Sequence, residues 1–191
     1  MQKGLKCGIN DNVKKIIRVN KKGESMKVIF LDKDGVLNSD EYFDKIQGLD
    51  IDGIESDVDI EKVELLKEAV DVTGAKVVLT ASARYTTNGQ LLAQLLCEYQ
   101  MSVDATPFLN NKRGMEIKQW LSEHPETEDF VILDDEIFES YDEELMKKLI
   151  KISNGNGINF GEGLQRKDIE DIIQRLGRKK EINSQEYDDE R

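Results

Sequence analysis

The chain has 191 residues and a mass of 21.8 kDa, enough for one domain with a single sizeable core and tails. Apolar residues make up 38% and charged residues 35%, with a mean hydropathy of −0.55, and no apolar run has the length of a membrane helix. The net charge of −12 is unevenly spread: residues 1 to 25 hold seven Lys/Arg against Asp11 and Glu24, a net +5, so the remainder carries −17 and repels polyanions, which weighs against stable duplex binding by the domain body.

The N-terminus lacks the apolar stretch of a secretory signal, which makes the cytoplasm the expected location. Cys7 and Cys97 match neither a redox nor a zinc-ligand spacing, and the single histidine, His124, has no partner at ligand spacing. Residues 1 to 25 read either as a basic arm or as an extension upstream of a native start at Met26, which directly precedes the first strong apolar run.

Residues 27 to 31, KVIFL, predict a buried strand, being short, rich in branched and aromatic residues and bounded by turn formers. A long polar connection follows over 38 to 58. Asp59 is placed to cap a helix in which Val63, Leu66, Ala69 and Val70 recur at helical spacing, ending near Gly74. KVVLT, 76 to 80, predicts the second strand. Thr87-Asn-Gly-Gln90 has the form of a capping box opening a helix that turns Leu91, Leu92, Leu95, Leu96 and Tyr99 to the core. A short strand near 101 to 105 leads to Thr106-Pro107, and Met115, Ile117, Trp120 and Leu121 predict a further helix before His124-Pro125.

FVIL, 130 to 133, is the third strong strand, and LIKIS, 149 to 153, the last of five. Ile169, Ile172, Ile173 and Leu176 mark a final helix that Gly177 can close, and residues 178 to 191 read as a charged tail. Strands that alternate with helices and are apolar on both faces predict an α/β, Rossmann-like three-layer sandwich over residues 26 to 177, with a mostly parallel central sheet.

In such sheets ligands bind beyond the carboxyl ends of the strands. The first strand ends in Asp32 and Asp34, the second in Thr80, and the fourth in Asp134 and Asp135. Each piece alone has a plain explanation: D-x-D-G is a common turn, an Asp pair a common helix cap, and a threonine an ordinary strand end. Their joint placement after three separate apolar strands is not explained that way. Two like charges about 4 Å apart repel by about 4 kcal/mol at an effective dielectric of 20, so carboxylates gathered at one edge call for a cation. Oxygen ligands without His or Cys nearby select a hard ion, and Mg²⁺ fits best.

The stretches FLDKDGVLN, VVLTAS, NKRGMEI and FVILDDE resemble the four ordered motifs of the haloacid dehalogenase (HAD) superfamily of phosphohydrolases, over roughly residues 27 to 176. More closely, TPF, KRGMEIKQWL, EDFVILDDE and the later GLQRKDIEDII resemble the HAD domain grouped with Swiss Army Knife RNA-repair proteins. The resemblance implies Asp32 as a nucleophile that forms an aspartyl phosphate, and Asp34 as general acid and base whose backbone carbonyl also ligates Mg²⁺. It implies Thr80 as a hydrogen-bond donor to a phosphoryl oxygen, and either Lys112 or Arg113 as the cation beside nucleophile and phosphate. Asp134 would bind Mg²⁺ directly and Asp135 through water. Lys33 stands where the family is usually apolar, and Ala81, Ser82 and Ala83 replace serines and a tryptophan after the second strand, with Ser82 and Arg84 as candidate substrate contacts.

Family members gate the site with caps inserted after the first motif or between the second and third. The gap from Asn38 to Asp59 suits only a flap, and a helix and a strand consume the gap from Ser82 to Asn111, so the expected site is capless and open. The expected partner is a phosphorylated substrate, which an open cleft admits on a large carrier such as a polynucleotide end; the pattern sets no oligomeric state. A small-metabolite or nucleotide phosphatase is the nearest alternative. A receiver-like phosphoacceptor module uses similar residues, but places its acid pair after the first strand and a single acid later, the reverse of the order here.

Overall fold

The computed structural model describes residues 25–152 and 160–177; the rest of the expected arm, the charged tail and Ser153 at the end of the expected fifth strand lie outside the described residues. The apolar run after Met26 forms β1 (Met26–Leu31), and its last four residues are completely buried. β1 lies between β2 (Lys76–Leu79) and β4 (Thr127–Asp134), with β3 (Val103–Ala105) and β5 (Leu149–Lys151) at the two edges. The order is β3-β2-β1-β4-β5, and every pairing is parallel. Within a strand, successive side chains face opposite ways, so each central strand has two buried faces and reads as an unbroken apolar run.

The two faces carry separate cores. Ile29, Leu31, Val77, Leu79, Val131 and Leu133 pack beneath α2 (Ile60–Thr73), α3 (Thr87–Glu98) and α6 (Arg166–Leu176). Val28, Phe30, Val78, Phe130 and Ile132 pack beneath α4 (Arg113–Glu123) and α5 (Glu143–Lys148). On that second face Phe30 meets the rings of Trp120 and Phe130 edge-on, at centroid separations of 5.4 and 5.6 Å. Such pairs add to the stabilisation from buried area.

Several local details differ from expectation. The connection from 38 to 58 holds α1 (Asp40–Ile46) and a 3₁₀ turn (Gly53–Ser56). Neither buries a residue, so neither has an apolar stripe to announce it; α1 is set by Ser39, whose hydroxyl accepts from the Tyr42 amide at 3.1 Å. Thr86, not Thr87, caps α3 by accepting from the Gly89 amide. Leu91 faces outward, while Leu92 and Leu96 are buried and Leu95 and Tyr99 pack at the core margin. Met115 is likewise exposed on α4. Asp59 does cap α2, accepting from the Glu61 amide, and Gly74 ends it.

No helix among the described residues is long and apolar enough to cross a membrane. Phe30→Ala is expected to cost about 3–5 kcal/mol of unfolding free energy in urea, because it empties the contact between three rings while leaving the β1 backbone pairing intact.

Candidate active site

The chain runs from β1 to β2 and β3 on one side, then crosses to β4 on the other, so the strand order reverses between β1 and β4. That crevice is where open parallel sheets bind ligands. Register decides what lies there. Phe30 pairs with both Val78 and Ile132, and these three point to the α4 side of the sheet. Two residues on, the same alternation turns Asp32, Thr80 and Asp134 to that side, in one row across three strands. Backbone bonds from Asp32 N to the Leu133 carbonyl (3.0 Å) and from Thr80 N to the Leu31 carbonyl (2.8 Å) carry the pairing to the row.

Arg113, the first residue of α4, reaches into this row. Its Nη1 donates to Asp32 Oδ1 at 2.7 Å and to Asp134 Oδ2 at 2.6 Å, and all three side chains are buried. The guanidinium also lies 4.4 Å from the Phe138 ring centroid, and the Tyr141 hydroxyl donates to Asp134 Oδ2 at 3.1 Å. A cation at a helix N-terminus opposes the helix dipole; two buried carboxylates more than offset that. The placement depends on Gly114, whose amide donates to Ser140 Oγ at 2.9 Å and where a Cβ would stand 2.1 Å from the Ser140 carbonyl oxygen. Lys112, the other candidate cation, is exposed at the N-cap of α4.

Asp135 completes the cluster from behind the turn. Carboxylate oxygens of Asp32, Asp134 and Asp135 all lie within 4.8 Å of one another. Gly35 makes this possible: it has φ +69°, and a Cβ there would stand 2.4 Å from Asp135 Oδ2. Burial, then the neighbouring acids Asp134, Asp34 and Asp135, push the Asp32 carboxyl up to about 7 against the pull of Arg113. Burial and then Asp134 and Glu136 raise Asp135 to about 6.

Asp34 does not join this cluster, contrary to the convergence expected of the D-x-D-G carboxylates. Its side chain is 53% exposed and forms an ion pair with Lys33 Nζ at 2.8 Å, while Asn38 Nδ2 donates to it at 3.1 Å. Lys33 Nζ also pairs with Asp57 at 2.6 Å, and Asn38 binds the Asp57 carbonyl at 3.0 Å and accepts from the Gly35 amide at 2.7 Å. Burial alone would lower the Lys33 pKa, but the two carboxylates outweigh it and the ammonium is held charged. Asn38 closes the first motif, whereas Asp57 carries no motif signal; only the return of the 38–58 connection to the β1 turn brings it in.

Arg84 is a correction. Expected among the substrate contacts, it is 1% exposed and all five of its N–H donors are used internally. Nε donates to the Thr106 carbonyl, Nη1 to the Thr80 and Ala81 carbonyls, and Nη2 to the Pro107 carbonyl and Glu116 Oε2 at 2.7 Å. Glu116 Oε1 accepts from the Leu109 amide at 2.8 Å. The pair therefore ties the segments leaving β2 and β3 to α4. Ser82 remains exposed beside it. Thr80 Oγ1, completely buried, has no hydrogen-bond partner among the described residues, an arrangement that costs about 1–3 kcal/mol unless a ligand oxygen completes it.

The donors suit a hard divalent ion. The three clustered ligands are carboxylates, and the raised Asp32 and Asp135 carboxyls reflect burial and crowding that one bonded guanidinium does not offset and a divalent cation would relieve. Asp32, Asp134 and Asp135 are the residues that could hold it.

A family model described as the HAD domain in Swiss Army Knife RNA repair proteins matches residues 28–161. The architecture is that of a phosphatase-type hydrolase superfamily, and the chain belongs to this family of HAD domains. Comparisons with curated proteins and with solved structures returned no match.

Replacing Arg84 by Met leaves Glu116 buried without its cation and is expected to cost about 3–5 kcal/mol in urea unfolding. The double variant Arg84→Met/Glu116→Gln should recover part of that loss.

Proposed function

We propose that the protein is a Mg²⁺-dependent phosphomonoester hydrolase that works through an aspartyl phosphate and acts on a phosphorylated nucleic-acid end. The observation that carries this reading is the row at the strand-order reversal: buried Asp32 held by Arg113, beside the partnerless hydroxyl of Thr80. That is a nucleophile, a fixed cation and a hydrogen-bond donor at one place, and phosphoryl transfer asks mainly for positioning and charge neutralisation.

In the first step an Asp32 carboxylate oxygen bonds to phosphorus as the bond from phosphorus to the leaving oxygen breaks. Asp34 gives its proton to that oxygen. Thr80 donates to a phosphoryl oxygen, and Arg113 keeps Asp32 in place and offsets charge on the phosphoryl group; the neighbouring Lys112 and Ser82 are exposed and can contact the rest of the substrate. In the second step Asp34 takes a proton from water, whose oxygen bonds to phosphorus as the acyl phosphate bond breaks, freeing Asp32 and inorganic phosphate. Mg²⁺ held by Asp32, Asp134, Asp135 and the Asp34 carbonyl would supply the remaining positive charge.

The division between the two acids rests on orientation and access: Asp32 is fixed by Arg113 in the row, whereas Asp34 is half exposed and held by Lys33 and Asn38, where leaving group and water can reach it. A large substrate is supported by the small segment after the first motif, which holds only α1 and a 3₁₀ turn. The nucleic-acid end is supported by the description of the family.

With p-nitrophenyl phosphate and Mg²⁺, steady turnover is expected that vanishes in Asp32→Asn; a single persistent phosphorylation would instead identify a receiver-like module. Asp34→Asn is expected to lower kcat by about 10²–10⁴-fold with an unchanged melting temperature, and a near-normal rate would remove it as acid and base. Mg²⁺ at a hundred times its Kd should stabilise the protein by about 2.7 kcal/mol in thermal melts, an effect that Asp134→Asn should abolish. End-phosphorylated oligonucleotides should be hydrolysed faster than mononucleotides or sugar phosphates, and the opposite ranking would assign a small-metabolite phosphatase.

A further inference from the structure

Four of the seven exposed large apolar side chains among the described residues lie on the edge that carries Asp32. Tyr85, Phe108 and Ile137 follow β2, β3 and β4 at their carboxyl ends, and Met115 is in the first turn of α4. Tyr85 and Phe108, 45% and 52% exposed, form a pair with centroids 6.5 Å apart and ring planes at 89°. Exposed rings are costly to leave in water, and these two are held rather than loose.

The Tyr85 hydroxyl donates to the Thr106 carbonyl, and the Arg84 guanidinium lies 5.0 Å from the Tyr85 ring centroid. The same guanidinium binds the carbonyls of Thr80, Thr106 and Pro107, and Glu116 fixes the Leu109 amide. Arg84 thereby couples the aromatic pair to Thr80, whose hydroxyl has no hydrogen-bond partner among the described residues. Thr106 follows β3, two strands from Asp32, so the pair begins about 10 Å from the nucleophile at ordinary strand spacing. One nucleotide spans that distance from its terminal phosphate.

Charge points the same way. Outside its first 25 residues the chain carries −17, so a strand cannot be captured by tracking its phosphates along a basic groove. Stacking is indifferent to that charge, because every base offers a π-face. A base inside a duplex keeps its own stacking partners; only an unpaired one is free to lie on a protein ring.

We infer that Tyr85 and Phe108 form a stacking subsite for the unpaired base of the terminal nucleotide whose phosphate lies at Asp32. The placement of that phosphate rests on the phosphomonoesterase reading. Arg84 acts here as a positioning residue, linking the aromatic subsite to the phosphate subsite through the backbone of residues 80–81 and 106–107.

The test uses the full chain carrying Asp32→Asn and a single-stranded oligonucleotide with a terminal phosphate and 2-aminopurine as its end base. Binding should quench the 2-aminopurine, and Phe108→Ala should weaken the affinity about tenfold or more while Phe108→Trp retains it. An abasic end or a blunt duplex of the same sequence should compete at least tenfold less well. Unaltered affinity in Phe108→Ala, equal competition by the abasic end or the duplex, or no binding of the strand would each overturn the subsite. Phosphate release by the unsubstituted protein separates the two readings. Quenching without release from any substrate sinks the phosphatase and leaves the subsite; equal release from base-bearing and abasic ends does the reverse.

Discussion

The contact on which the site depends is one guanidinium shared between two buried carboxylates. Arg113 donates to Asp32 and Asp134 from the same nitrogen, which lets β1 and β4 bring two acids together where their side chains face one another. Even so, burial and the neighbouring acids hold the Asp32 carboxyl above its usual range against the pull of this cation. The surrounding structure serves this contact: Gly114 lets α4 start against the Ser140 backbone, Phe138 covers the guanidinium, and Tyr141 binds Asp134. One cation among three acids leaves the cluster short of positive charge, and the same geometry that folds around Arg113 is one that could hold a metal ion.

The site has two sides built on different principles. The side of Thr80 is braced by a buried ion pair, Arg84 with Glu116, whose hydrogen bonds reach backbone on two strand exits and one helix. Every donor of that arginine is satisfied, and this is the condition under which a buried charge is tolerable. The side of Asp34 is braced at the surface by Lys33, Asn38 and Asp57. Asp34 is thus held and wet, whereas Asp32 is held and dry. Two aspartates separated by one residue reach such different environments because Asp32 still pairs with β4, whereas Asp34 has already left the strand for the turn at Gly35.

Much of this architecture is legible in residues 28–31, 77–79 and 130–133, where an unbroken apolar run followed by a polar residue identifies a central parallel strand and the edge that carries the acids. Helices with a buried stripe, such as that of Val63, Leu66 and Val70, are equally legible. The elements that escaped are those with too little burial to leave a period: α1 buries nothing, and α5 has six residues. Thr86 and Thr87 are adjacent and chemically alike, and only the hydrogen bond to Gly89 distinguishes the cap from the first helical residue. Arg84 misled for a related reason, since a charged residue in a loop after a functional strand looks like a ligand contact until its five donors are found to be used.

What the sequence by itself determined is the set of strands, their ends in the chain and the acids that sit on them, because period and strand length are local properties. Whether Lys112 or Arg113 would reach Asp32 was not local: Arg113 lies 81 positions from Asp32, and its contact required β4 to pair with β1 and α4 to cross to the matching face. The tertiary structure also decided that Asp34 turns to Lys33, that Asp57 and Tyr141 belong to the site, and that Tyr85 meets Phe108. Each of these joins segments that strand order brings together, and strand order follows from how the whole set of apolar faces is buried at once.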